Sequence, residues 1–147
     1  MQHPRLLALC LPKSIITLVA SSTNMDRPLV GRVILVIEDE PLIALDIQQA
    51  FEDAGAATMS ARTIAAALLA VEDPALSAAI VDHALGDGDS SELCQRLTER
   101  NVPFLTYSGY ANLSGPCAGA EHVSKPATPA VLVERVKGLL ARRPISN

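Results

Sequence analysis

Val33-Ile34-Leu35-Val36-Ile37 is an unbroken apolar run, mostly β-branched, with no polar face to turn toward water. A strand of that composition is buried on both sides, which is the condition of a parallel sheet covered by helices. Ala78-Ala79-Ile80-Val81 repeats the pattern and leads straight into Asp82, followed by the glycine-punctuated loop Gly86-Asp87-Gly88. In open α/β sheets, ligands bind outside the carboxyl ends of the strands. At that rim, Asp82 is open to three roles: metal ligand, nucleophile or loop cap.

The segments around these runs alternate in period. After Glu38-Asp39-Glu40, Pro41 suits the first position of a helix, and Ile43, Ile47, Ala50, Phe51 and Ala54 then recur at helical spacing. Gly55 is placed to end that helix in a left-handed conformation. A weaker strand is expected over residues 56–60, and an alanine-rich helix over 63–71 with Ile64, Leu68 and Val71 on one face. Ser90 or Ser91 is expected to cap the next helix, whose Leu93 and Leu97 face inward. Residues 102–108 read as the fourth strand. Gly115, Pro116 and Gly119 allow only a short or irregular helix between 111 and 120. His122-Val123-Ser124 makes a brief fifth strand. Thr128 and Pro129 open a last helix striped by Leu132, Val136, Leu139 and Leu140. Strands and helices alternating at this pitch define an α/β, doubly wound, five-stranded parallel sheet with helices on both faces.

With 147 residues, 49% of them hydrophobic and 19% charged, the chain is long enough for one domain with a substantial core and is not composed like a disordered one. A net charge of -4 without long Lys or Arg runs argues against nucleic acid as a direct ligand. Cys10, Cys94 and Cys117 are odd in number and follow no metal-ligand spacing, a pattern read as structural thiols in a reducing cytoplasm. Two apolar stretches precede residue 21, but Pro12-Lys13 divides them, so neither spans a bilayer and a secretory signal is disfavoured. Residues 1–30 are therefore expected to form an extension outside the fold, with Met25 as a candidate natural start, and 31–147 to form the domain.

Polar residues end four of the strands: Glu38-Asp39, Asp82, Ser108 and Lys125. In a parallel sheet those ends share one rim. Carboxylate and carbonyl oxygens suit hard Mg²⁺, and a hydroxyl and an ammonium beside them suit a phosphoryl group. Taken together, Val36-Ile37-Glu38-Asp39-Glu40-Pro41, Val81-Asp82-x-x-Leu85-x-x-Gly88, Tyr107-Ser108-Gly109-Tyr110 and Lys125-Pro126 resemble a response-regulator receiver domain of two-component signalling. The resemblance implies a flavodoxin-like sheet of order 2-1-3-4-5. It makes Asp82 the phosphoacceptor, served by a sensor histidine kinase or a histidine phosphotransfer protein. Glu38, Asp39, Asp82 and the backbone carbonyl of Ala84 would hold Mg²⁺. Ser108 and Lys125 would contact the phosphoryl group, as would the backbone N–H groups of Ala84 and Gly109, and Lys125-Pro126 would be cis.

The chain also departs from that pattern. His122 stands where many such domains carry an inward-swinging Phe or Tyr and is expected at the surface. Pro103-Phe104 with Ser108-Gly109-Tyr110 resembles the Pro-Phe…Thr-Gly-Tyr form of an alphaproteobacterial-type subgroup, with Ser in place of Thr. Tyr110 is open between a loop aromatic and a partial cover for the phosphate. Asp87 and Asp89 are read as turn residues in preference to a second metal site. His83 is not expected to act as a base, because adjacent side chains diverge. No output domain is expected after the last helix. The expected role is thus a cytoplasmic, stand-alone phosphoacceptor that touches no membrane. It would switch contacts with a downstream protein or serve as a phosphate sink, with a homodimer as a further expectation and only self-catalysed phosphotransfer and dephosphorylation as chemistry. The alternatives are a Mg²⁺-dependent aspartyl-phosphate phosphohydrolase and a pseudo-receiver that binds partners without phosphorylation.

Overall fold

A computed structural model of the chain describes residues 27–85, 90–109 and 113–142. In order, the elements are β1 (Val33–Ile37), α1 (Pro41–Asp53), β2 (Ala57–Ala61), α2 (Ile64–Ala70), β3 (Ala78–Val81), α3 (Ser91–Glu99), β4 (Phe104–Ser108), a 3-10 turn (Gly115–Cys117), β5 (Glu121–Ser124) and α4 (Pro129–Ala141). The strands form one parallel sheet of order β2-β1-β3-β4-β5, as the resemblance implied. Strand β1 lies between β2 and β3, with Leu35 registered on Met59 to one side and on Ala79 to the other. That central position is why its sequence is apolar throughout.

Side chains alternate across the sheet and build two cores. Ile34, Val36, Ala78, Ile80, Leu105 and Tyr107 pack with Ile47 and Phe51 of α1 and with Leu132 and Val136 of α4. On the opposite face, Leu35, Ile37, Ala79 and Val81 pack with Ala67 of α2 and with Leu93, Cys94 and Leu97 of α3. The expected doubly wound arrangement is therefore present. The crossover from β4 to β5 carries only the 3-10 turn among its described residues, in line with its glycines and proline.

Helix ends explain several boundaries. Gly55 has φ +102°, and the Ala56 N–H closes back on the Phe51 carbonyl at 3.0 Å, so α1 ends in a left-handed turn. Asn101, with φ 58°, repeats the arrangement after α3, where the Val102 N–H reaches the Leu97 carbonyl at 2.9 Å. Thr63 caps α2 by accepting the Ala66 N–H at 3.1 Å. Ser90 and Thr128 occupy the expected N-cap positions, but neither side chain makes the capping bond. Ser90 is fully buried, and its hydroxyl is engaged elsewhere.

Two sequence expectations are corrected. Leu29 lies in the core at 2% exposure and its N–H donates to the Ala54 carbonyl at 2.8 Å. Leu29 thus packs with the domain although it precedes the division placed at 30, while Met25 and Cys10 lie outside the described residues. The reading of Cys94 and Cys117 as unpaired thiols also fails. The two form a disulfide across a Cα–Cα distance of 5.3 Å. Their separation of 23 residues gave no spacing signal, but α3 and the 3-10 turn meet over the same core and bring the sulfurs together.

Candidate functional site

The sheet brings the four predicted strand ends to one rim. Backbone hydrogen bonds extend past the strands: the Asp82 N–H donates to the Ile37 carbonyl at 3.0 Å and the Lys125 N–H to the Ser108 carbonyl at 2.9 Å. The functional residues are thereby held in register with one another. Glu38, Asp82 and Ser108 are buried, and Asp39 is partly exposed. Carboxylate oxygens of Glu38, Asp39 and Asp82 lie within 4.8 Å of one another. Lys125, 25% exposed, reaches across, its Nζ 2.9 Å from Glu38 Oε2 and 3.2 Å from Asp82 Oδ2. The same ammonium sits 5.1 Å from the centre of the Tyr107 ring, which adds a cation–π contact. The Lys125-Pro126 bond is cis, as expected.

The free carboxylate oxygens are also held. Glu38 Oε1 accepts the Glu40 N–H at 3.1 Å, and Asp82 Oδ1 accepts the Ala84 N–H at 3.0 Å. Burial pushes the Glu38 carboxyl above the ordinary carboxylate range, against the opposing pull of the Lys125 hydrogen bond. For Lys125, burial disfavours the ammonium, but the hydrogen bond to Glu38 and the charge of Asp82 outweigh it and the group is raised overall. The cluster of three carboxylates thus holds one ammonium, which pairs with Glu38 and Asp82, and among the described residues Asp39 has no cationic partner. An all-oxygen cluster with uncompensated negative charge is the donor set a small divalent cation takes, so these residues fit Mg²⁺.

His83 Nδ1 is 2.8 Å from Ser90 Oγ, so its ring is engaged with the start of α3. Gly109 follows Ser108 at the exposed end of β4. Tyr107 is a core residue whose hydroxyl donates to the Ala127 carbonyl at 3.1 Å. Tyr110, Asp87 and Asp89 lie outside the described residues. His122 is half-buried, contrary to the surface placement expected of it. Its Nδ1 is 3.0 Å from Thr106 Oγ1, and Thr106 is its registered neighbour on β4. Sequence reading did not single out Thr106. Its signal was the alternation itself, since Thr106 and Ser108 share the face of β4 opposite Leu105 and Tyr107.

Comparison with known proteins agrees with the geometry. The family model of the response regulator receiver domain matches residues 34–137, and the chain belongs to that family. Among solved structures, a response regulator receiver domain protein (CheY-like) from Methanospirillum hungatei JF-1 is 27% identical, with TM-score 0.68 over 75% of this chain and 94% of that one. A response regulator receiver protein from Sinorhizobium medicae WSM419 is 26% identical, with TM-score 0.71 over 78% of this chain and 98% of the other. The receiver domain of NtrX from Brucella abortus is 26% identical, with TM-score 0.66 over 75% and 99%. No curated protein matches the chain. Receiver domains are phosphoacceptor signalling modules of two-component systems, and among the described residues no helix is long and apolar enough to cross a membrane.

Proposed function

We propose that Asp82 accepts a phosphoryl group from the phosphohistidine of a histidine kinase or histidine phosphotransfer protein. An Asp82 carboxylate oxygen attacks phosphorus, the P–N bond to the donor imidazole breaks, and an acyl phosphate remains. The observation that carries this reading is the placement of Asp82 Oδ2 3.2 Å from Lys125 Nζ within a cluster shared with Glu38 and Asp39. Lys125 pairs with the incoming phosphoryl charge, Ser108 supplies a hydroxyl, and the backbone N–H of Gly109 supplies a further donor, as does that of Ala84 once it leaves Asp82 Oδ1. Glu38, Asp39, Asp82 and the Ala84 carbonyl hold Mg²⁺, which when bound neutralises the phosphoryl oxygens.

The added charge biases the rim that holds Asp82 and Ser108 between two arrangements. In this reading the cytoplasmic domain either switches contacts with a downstream protein or serves as a phosphate sink, without substrate turnover of its own. The test is incubation with acetyl phosphate and either Mg²⁺ or EDTA, comparing wild type with Asp82→Ala and Asp82→Asn. An acid-stable, base-labile phosphoryl group is expected on wild type with Mg²⁺ alone. Labelling that persists in both variants would refute the role of Asp82.

A further inference from the structure

On the face of the sheet away from α1 and α4, Cys94 of α3 is joined to Cys117 of the 3-10 turn. Both residues are fully buried. One belongs to the helix entered from the Asp82 loop, and the other to the crossover entered from Ser108, so the bond ties together the two segments that leave the candidate phosphorylation rim. Ser90 stands between them. Its hydroxyl lies 2.8 Å from His83 Nδ1 and 3.5 Å from Cys117 Sγ, and its carbonyl oxygen is also 3.5 Å from that sulfur. The site therefore serves either oxidation state. In the disulfide, the Ser90 hydroxyl can donate to sulfur; in the dithiol, the Cys117 S–H has the Ser90 carbonyl as acceptor. Cys117 thus keeps a hydrogen-bond partner in both forms.

We propose that Cys94 and Cys117 form a reversible thiol–disulfide pair that sets how freely the 3-10 turn moves, and through it the behaviour of the Asp82 site. The co-reactant is a low-molecular-weight disulfide. The thiolate of one cysteine attacks it and expels one thiolate, leaving a mixed disulfide. The second cysteine then attacks the protein sulfur of that mixed disulfide and expels the other thiolate. Two cysteine thiols are oxidised and one external disulfide is reduced to two thiols. Because neither sulfur is exposed, exchange proceeds through opening of the 3-10 turn, and whatever restrains that turn slows exchange. The link to Asp82 rests on the phosphoacceptor reading above; the redox pair itself does not.

The test uses the full chain carrying Cys10→Ser, so that only this pair titrates, equilibrated with reduced or oxidised glutathione. After denaturation, the oxidised sample is expected to hide both thiols from a maleimide and the reduced sample to show both. Amide exchange across residues 113–120 is expected to be about tenfold faster in the dithiol form. The rate of labelling by acetyl phosphate is expected to differ between the two forms. Cys94→Ala and Cys117→Ala, with folding checked by circular dichroism, are each expected to show the reduced-form exchange whatever the glutathione state. Thiols that stay free in the folded protein under oxidised glutathione overturn the pair, as does identical exchange of residues 113–120 in both states. Equal labelling rates in the two states overturn the coupling alone. Absence of labelling in both states overturns the phosphoacceptor reading and with it the coupling, while thiol counting and amide exchange still decide the pair.

Discussion

Replacing Lys125 with methionine keeps most of the aliphatic stem but removes the only ammonium that neutralises the buried carboxylates of Glu38 and Asp82 among the described residues. Removing one partner of a buried ion pair costs about 3–5 kcal/mol because the other charge is left uncompensated. Lys125 is 25% exposed, so solvent screening brings the expected loss to about 2–3 kcal/mol without divalent cation. In a domain of this size, each kcal/mol shifts the thermal midpoint by about 3–5 °C, giving a fall of about 6–15 °C. Mg²⁺ acts in the opposite sense. In wild type it enters a cluster that already holds an ammonium, whereas in Lys125→Met it is the sole neutralising charge. The variant should therefore bind Mg²⁺ about tenfold more tightly, and saturating Mg²⁺ should return most of the lost midpoint. Thermal melts across a Mg²⁺ titration read both effects. An unchanged midpoint in EDTA, or an affinity for Mg²⁺ that stays equal or weakens, refutes the argument that Lys125 and the cation compensate the same carboxylates.

Gly55→Ala tests the turn that ends α1. At φ +102° an added Cβ would lie 2.7 Å from Val30 Cγ2 and 3.0 Å from the Val30 nitrogen, so a loss of about 1–3 kcal/mol is expected in chemical denaturation. A neutral result would show that the turn relaxes freely. Glu121→Gln tests the edge strand: the Arg135 hydrogen bond, with Arg142 second, lowers the Glu121 carboxyl. A depressed carboxyl stabilises the fold above its unfolded pKa and loses that contribution as pH falls through the folded one. The variant should therefore melt below wild type near neutral pH, by no more than about 1 kcal/mol given the exposed arginines. The gap should close under acid conditions; one that stays constant across that range excludes the titration.

The fold was legible because its pattern is redundant. The apolar run of β1 required two covered faces, Pro41 and Gly55 bracketed α1, and the spacing of Leu93 and Leu97 gave the inward side of α3. Each of these is a local property of the chain. Expectations failed where a residue's partner lies far away in sequence. Ser90 looks like a cap because it precedes a helix, yet its hydroxyl is taken by His83 and by a sulfur 27 residues on. Leu29 precedes the first strand without periodicity of its own, and only contact with α1 reveals it as core.

The same distinction governs the site. Glu38, Asp82, Ser108 and Lys125 were identifiable because a parallel sheet sends every strand's carboxyl end to one side, so chain order alone predicts their convergence. Chain order says nothing about which charges pair. That Lys125 bridges Glu38 and Asp82, while Asp39 is left without a cation among the described residues, follows from side-chain reach across the rim. His122 is the sharpest case. Sequence placed it at the surface because a histidine at such a position more often faces solvent. In the sheet, however, it lies beside Thr106 in the β4–β5 register, and a hydroxyl at 3.0 Å gives the ring nitrogen a reason to stay. A polar side chain becomes compatible with a half-buried position when its cross-strand neighbour is polar too. The pairing of Thr106 with His122 thus gives the imidazole a polar partner at the edge of the sheet.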